Sequence, residues 1–427
     1  MQIEQVRARR IWDSRGRPTV EVDVRLASGA TGRGVAPAGA SRGTREAVEL
    51  RDGGETLGGL DVQRALASVR REIAPALVGR DASDQVAIDA LLARLDGTDT
   101  FARLGGNATV ATSLAVLNAA AAHAGEPLWR YLARDRDVRL PLPQVQIFGG
   151  GAHAGGRIDL QDLLVMPLGA TSFEEALVQV AEVYRAAGAL MAGRGKLAGV
   201  ADEGGWWPAF AANEDALETL ALAVERAGFA RRDMAIAIDV AASELGREGR
   251  YRLGLDGREL DTARWLELLT GWVRSFGIVS VEDPVAEDDD AGMRAFTAAV
   301  GDAVQVIGDD YLVTNAARVA EAARTGACNA VLLKPNQAGT VSGLRAAFDA
   351  ARRAGWGTIV SARSGETEDV AIVHLAVGLD AGQLKVGSFA RSERMAKWNE
   401  GLRIEAALGT RARYAGREVL PVAAATA

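Results

Sequence analysis

The sequence holds a single cysteine, Cys328, so a disulfide within the chain is excluded, and its place in the apolar run CNAVLL reads as a small buried hydrophobe. A reducing cytoplasm is the expected compartment. Positive charge is in short supply as well: 49 lysines and arginines face 56 acidic residues, and the net charge of −7 offers no long-range attraction for a phosphate backbone or an anionic bilayer. Neither nucleic acid nor membrane is expected as a partner. Long apolar runs are missing. The most alanine-rich stretch, Ala108 to Gly125, is interrupted by Thr109, Thr112, Ser113, Asn118 and His123, which fits a packed helix better than a membrane span. Charges from residue 4 onward, with no apolar core beside them, lead us to expect no signal peptide. Nucleotide-binding glycine loops are absent too: GRGK at 193–196 is followed by Leu197, and GGGAHAGG contains no G-x-G-x-x-G.

What is present is length and pattern. The 427 residues exceed one ordinary domain and fit a small domain plus a barrel of roughly 250 residues. Thr19 to Leu26 (TVEVDVRL) alternates apolar and polar residues and turns at ASG into a second extended run, which predicts a small antiparallel meander. Helical spacing follows over Asp61–Val78, Ser83–Leu95 and Ala108–His123. The proline pair of LPLPQ, Leu140 to Gln144, marks a boundary, giving an α+β capping domain over 1–137 and a second domain over 138–427. In the second, apolar runs of strand length alternate with amphipathic stretches, the pattern of β/α units closing into a barrel.

Each run carries chemistry. LQDLLVMP contains Asp162, LAGVADEGG ends at Glu203, MAIAIDVAAS at Asp239, IVSVEDP at Glu282 and VQVIGDD at Asp309. AVLLKPNQ, GTIVSARSGE and QLKVGS then bring Lys334, Arg363 and Lys385. One charge after an apolar run is usually a helix cap or a solvated loop. Its repetition in one register is what points to a shared site at the C-terminal face of a barrel. His123 and His374, in the apolar stretches NAAAAHAG and AIVHLAVG, are expected to be structural, and EDDD at 287–290 a solvated loop.

Asp239, Glu282 and Asp309 form an all-oxygen set that suits Mg²⁺ rather than zinc, and a divalent ion would relieve their mutual repulsion. Such an ion would also lower the pKa of Lys334 or Lys385 toward that of a general base. The set then fits removal of a proton beside a substrate carboxylate, with Glu203 as acid toward a leaving group and Arg363 with Ser364 as a hook for a phosphoryl group.

These residues stand in motifs that resemble the enolase family, which interconverts 2-phosphoglycerate and phosphoenolpyruvate. The resemblance runs through DSRGRPTVEVDV, GASRGTREAVELRD, GGGAHA, DEGG, DVAASE, VEDP, GDDYLVTN, KPNQAGT, SARSGETED, KVGS and LRIEAALG, nearly the whole chain. It implies an enolase-like α/β fold, a lyase activity and two Mg²⁺ ions, the main one on Asp239, Glu282 and Asp309. The second would bind with substrate at Ser41 of the mobile loop PAGASRG. It further implies Lys334 as base, Lys385 steadying the substrate carboxylate, Glu203 on the acid side and Arg363 with Ser364 on the phosphoryl group. His153 would close over the substrate, and DSRG resembles a dimer contact, so a homo-oligomer is expected.

Two positions leave the pattern. Ala362 stands where the family motif SHRSGETED has a histidine, and Asp162 stands where it has a glutamate, which withdraws the carboxylate by roughly 1.5 Å. Arg42 on the loop, Trp206 and Trp207 after DEGG, Gly149 and Ala152 are smaller departures. The expectation is a specialised homologue, similar to carboxyphosphonoenolpyruvate synthase of phosphinate antibiotic pathways. Its wider pocket beside Ala362 and an added cation at Arg42 would serve a more highly charged substrate, and it would eliminate water from 2-phosphoglycerate poorly. The alternatives are a housekeeping phosphopyruvate hydratase and a non-catalytic homologue, for which decay of the carboxylate triad would be the mark.

Overall fold

A computed structural model describes residues 1–420. The chain begins with a three-stranded antiparallel meander, β1 (Ile3–Trp12), β2 (Pro18–Leu26) and β3 (Thr31–Val35). One face of β2 places Val20, Val22, Val24 and Leu26 fully out of water, each worth roughly 1.5–3 kcal/mol of apolar burial. The other face carries Glu21 and Asp23, which pair with Arg9 and Arg33 across the sheet. Those arginines hide β1 in the sequence, where a charged run reads as solvated.

The buried face rests on the helix Gly106–Ala124. Contact is close because β3 supplies glycines: a Cβ at Gly32 would stand 2.1 Å from Ala119 N, and one at Gly34 2.2 Å from Ala111 O. The alanines opposite complete that fit. The helix expected over 61–78 forms as Gln63–Ser68, a π turn Val69–Ile73 and Ala74–Leu77. Pro75, which has no N–H to donate, accounts for the widened turn before it.

The barrel holds eight strands. In chain order it is opened by β4 (Leu142–Gly149), β5 (Asp162–Met166) and β6 (Ala235–Asp239). A small antiparallel sheet interrupts, β7 (Gly246–Arg247), β8 (Arg250–Arg252) and β9 (Glu259–Asp261). The barrel then resumes with β10 (Ile278–Glu282), β11 (Gln305–Gly308), β12 (Ala330–Leu333), β13 (Gly357–Ser361) and β14 (Gly382–Ser388), which pairs with β4 to close it. LPLPQ therefore runs directly into the first barrel strand.

Pairing is parallel throughout except at β5, which is antiparallel to both β4 and β6. The all-parallel barrel read from the sequence is corrected there. Asp162 is the first residue of β5, not its end, and the reversal carries it to the rim that the other strands reach with their last residues. LAGVADEGG is corrected too. Within it only Val200 makes an isolated bridge, to Trp206 just beyond it, and the segment contributes a loop rather than a barrel strand.

Below the rim a chain of hydrogen-bonded polar side chains runs between barrel strands, beside the apolar cluster of Ile307, Ala330, Leu332 and Ile359. Gln144 donates to Gln383 at 2.8 Å, Gln383 to Gln305 at 2.7 Å and Gln305 to Ser280 at 3.0 Å. Among the described residues no helix is long and apolar enough to cross a membrane. Cys328 is buried, His123 is exposed beside Ser28 at 2.7 Å, and His374 lies 3.4 Å from Glu400.

Candidate active site

At the rim, Asp239 ends β6 and Glu282 ends β10, while Asp309 follows β11 and Lys334 follows β12. Ser361 ends β13 just before Ala362, Arg363 and Ser364, and Lys385 lies within β14. Backbone geometry alone therefore gathers residues more than a hundred positions apart. Asp239, Lys334, Ser361, Ala362, Arg363, Ser364 and Lys385 line one cavity of about 20 Å³, room for little more than a water, together with Ser41, His153, Asp162 and Glu203, while Glu282 and Asp309 reach it through Lys385 and Lys334.

The lysines sit on the carboxylates. The Lys385 ammonium lies 2.8 Å from Asp239 Oδ2, 2.8 Å from Glu282 Oε2 and 3.1 Å from Asp162 Oδ2. Burial alone would pull Lys385 down, but these carboxylates hold it well above its ordinary value. Lys334 is hydrogen-bonded to Asp309 Oδ2, and Gln337 donates to the other oxygen at 2.9 Å. Lys334 is likewise raised, since Asp309 outweighs burial. The lowered lysine read from the sequence is thus not the state seen here; it requires positive charge on the Asp309 side.

The carboxylates divide by environment. Burial, reinforced by Asp239, lifts Glu282 well above the carboxylate range, and its Oε1 is buried without a hydrogen-bond partner. Burial would lift Asp309 as well, but Lys334 holds it below its ordinary value. An orphaned carboxylate oxygen within an all-oxygen set fits a hard divalent cation, and Asp239, Glu282 and Asp309 would hold it. Their oxygens are drawn toward different ammoniums. Among the described residues the groups whose ligand atoms lie within 4.8 Å of one another are His153 with Asp162 and Glu203, and Asp283 with Asp309 and Asp310; the Asp239, Glu282 and Asp309 set is not drawn together in this way. Asp283 accepts the backbone N–H of Asp309 at 2.8 Å and of Asp310 at 2.7 Å, so it fixes the turn that aims Asp309.

The opposite wall is built around His153. Its Nδ1 lies 2.9 Å from Asp162 Oδ1 and its Nε2 3.7 Å from Glu203 Oε1. Burial disfavours the charged ring, but Glu203 and Asp162 overcome this and push it up to about 9. Burial would also raise Asp162, yet Lys385 and His153 hold it well below the carboxylate range.

A loop from the capping part closes the cavity. Ser41 O accepts from Arg363 Nη2 at 2.9 Å, and Ala38 and Gly365 exchange backbone hydrogen bonds. Gly39 permits the approach, because a Cβ there would stand 1.9 Å from Arg363 Nη2. Arg42 does not enter the cavity. Its side chain is 53% exposed and reaches Glu49 at 3.5 Å, so the place read for it beside the substrate is not where this structure puts it. Glu287, read as solvated, accepts the backbone N–H of Thr44 at 3.1 Å and so clasps the loop; Asp289 is buried and caps the helix Asp290–Val300.

Several residues here escape sequence reading. Glu46 pairs with Arg363 at 3.2 Å, Arg15 donates to Ser364 Oγ at 3.2 Å and to Ala38 O at 2.8 Å, and Arg394 donates to Arg363 O at 2.7 Å. Gln161 reaches Asp239 at 3.2 Å and Gln146 bonds Asp162. Arg15, Glu46 and Gln161 stand inside quoted motifs, DSRG, GASRGTREAVELRD and LQDLLVMP, but nothing local gives them a role; Gln146 and Arg394 stand outside any. Trp206 stacks on Tyr184 at 4.7 Å and donates to its carbonyl at 2.8 Å, a packing role.

A capped barrel whose rim faces two lysines and an arginine hook against buried carboxylates is a barrel enzyme architecture for acid–base chemistry on an anion. Residues 3–132 match the family description "Enolase, N-terminal domain", and residues 137–422 match "Enolase, C-terminal TIM barrel domain". The chain is 48% identical over 420 residues to "Enolase" of Acidothermus cellulolyticus, covering 98% of this chain and 97% of that one. It is 46% identical over 425 residues to "Enolase 1" of Desulfitobacterium hafniense, covering 99% and 97%. The chain belongs to the enolase family, whose members depend on magnesium and act on a small phosphorylated substrate.

Proposed function

We propose that the protein is a magnesium-dependent phosphopyruvate hydratase, interconverting 2-phosphoglycerate and phosphoenolpyruvate. The observation that carries this reading is the opposition, across one closed cavity, of Lys334 on Asp309 to the His153, Asp162 and Glu203 group, with Arg363 and Ser364 between them at the rim. A base and an acid on opposite sides of a substrate are what elimination of water requires.

A cation bound by Asp239, Glu282 and Asp309, and a second one bound with substrate at Ser41, would supply positive charge beside the substrate carboxylate and lower the cost of removing the neighbouring proton. Arg363 and Ser364 take the phosphoryl group and fix its orientation. Lys334, freed from Asp309, accepts the α-proton at Nζ. Lys385 keeps its ammonium toward the carboxylate. The loop carrying Ser41 excludes water once substrate is bound.

Both relatives bear the plain name of the family, and this favours the housekeeping reading over the specialised one expected from Ala362 and Asp162. The specialised reading, a synthase of the carboxyphosphonoenolpyruvate type, rests on two features: Ala362 leaves the wall beside Arg363 without an imidazole, and Asp162 is shorter than the family's glutamate. The intact triad and lysines speak against a non-catalytic homologue. A homo-oligomer in the cytoplasm accompanies the proposal, with sedimentation of the purified protein as its check. The function itself is tested by assaying 2-phosphoglycerate beside a carboxyphosphonyl analogue of phosphoenolpyruvate. Turnover of the first without preference for the second supports it, and the reverse supports the synthase.

A further inference from the structure

The cavity wall opposite Lys334 differs from the one the motif resemblance implies. Ala362 offers no polar group there. Asp162 Oδ1 accepts from Gln146 and faces His153, and its Oδ2 makes no hydrogen bond but lies 3.1 Å from the Lys385 ammonium, whose charge favours the bare carboxylate over a proton carried toward a substrate. Glu203 lies between cations, with His153 Nε2 at 3.7 Å and Arg394 Nη1 at 4.0 Å. His153 is the one imidazole lining the cavity, since His123 and His374 lie elsewhere.

We infer that His153 is the proton donor to the departing hydroxyl, and that Asp162 is its positioning residue, the pair replacing the imidazole that position 362 lacks. Asp162 binds Nδ1, which fixes the ring and leaves Nε2–H as the proton that faces the cavity. The 3.7 Å between Nε2 and Glu203 Oε1 is longer than a hydrogen bond, so neither group saturates the other. The shorter side chain at 162 is what this geometry uses, because the carboxylate stops at the ring instead of reaching past it.

The step balances. Lys334 has taken the α-proton, and the electron pair left on carbon becomes the new C=C bond. The C–O bond to the hydroxyl breaks with its pair on oxygen, and the Nε2–H bond breaks with its pair on nitrogen. Oxygen gains that proton and leaves as water, and the neutral ring is recharged by a proton from solvent past Glu203. Burial works against the charged ring, but Glu203 at 3.7 Å and Asp162 at 2.9 Å outweigh it and keep the ring charged at neutral pH, as this step needs.

The inference rests on the proposed hydratase activity, and one experiment separates the two. The magnesium-loaded enzyme is given 2-phosphoglycerate in deuterated buffer, and deuterium entry at the α-carbon is followed beside product formation. His153→Asn is expected to keep exchange within about tenfold of wild type while product formation falls roughly 10²- to 10⁴-fold. Asp162→Asn should lower product formation about 10- to 100-fold with the same split. Ala362→His added to His153→Asn should recover product formation by at least about tenfold, which a purely structural defect would not allow. His153→Gln serves as the second variant if the asparagine protein does not fold. Product formation within about threefold of wild type in these variants overturns the inference and leaves the hydratase reading standing. Equal loss of exchange and product, with no recovery from Ala362→His, also overturns it. A wild type that exchanges no α-proton overturns the hydratase reading and the inference together.

Discussion

Asp162, the first residue of β5, stands directly across from Asp239, the last residue of β6. This antiparallel pairing is what brings a residue from a strand's beginning to a rim otherwise built from strand ends. It places Asp162 between Lys385 and His153, and so joins the cation side of the cavity to the acid side.

A cation held as proposed by Asp239, Glu282 and Asp309 would compete for oxygens that now face Lys385 and Lys334. Activity is expected to vanish on exhaustive chelation and in Asp309→Ala, and magnesium should raise the melting temperature with occupancy. Gln337→Met, which removes the 2.9 Å bond to Asp309 Oδ1, should weaken magnesium affinity about 10- to 100-fold, read by titration calorimetry.

Stability should depend on His153. The folded protein holds its ring up to about 9 against an ordinary 6.5, so the folded state binds that proton more tightly. The contribution is present in full below about pH 6.5 and is lost as pH rises through about 9. Urea unfolding at stepped pH should show wild type losing on the order of 3 kcal/mol over that window relative to His153→Asn.

Much of this was legible beforehand, and the limits are physical. Short apolar runs ending in Asp239, Glu282, Asp309, Lys334 and Lys385 read correctly as strands because both faces of a barrel strand are buried. The direction of β5 could not be read, since four apolar residues behind Asp162 look the same either way. LAGVADEGG has a strand's composition but lacks a ladder to join. Glu46, Arg15 and Arg394 act through contacts across 317, 349 and 31 positions, which no local pattern encodes. The departures at Ala362 and Asp162 were visible, but not that Asp162 turns to His153.

Strand β3 should tolerate no side chain at Gly32 or Gly34, where it meets the helix. Gly34→Ala would place a Cβ 2.2 Å from Ala111 O and force the elements apart, at a cost of roughly 1–3 kcal/mol or more. Thermal unfolding of this variant beside Gly29→Ala, whose Cβ would meet nothing within 4 Å, isolates packing from backbone effects only in part, because Gly29 has φ +86°. Gly271→Ala, in open space within a helix, is the cleaner control and should be neutral or slightly stabilising.

Arg363, the residue proposed to take the phosphoryl group, also holds the loop through Ser41 O at 2.9 Å and Glu46 at 3.2 Å. Arg363→Lys keeps the charge but not the forked geometry. Substrate affinity is expected to fall at least tenfold, roughly 1.4 kcal/mol, and proteolysis within residues 37–45 should quicken as the loop loosens.

The most direct test is the steady-state rate at which the wild-type protein, with magnesium, converts 2-phosphoglycerate to phosphoenolpyruvate. Elimination supported by His153 and Asp162 predicts a kcat in the ordinary enzyme range of about 1–10³ s⁻¹, with no preference for the carboxyphosphonyl analogue. A rate lower by about 10²-fold or more, with tighter binding of the analogue, would contradict it.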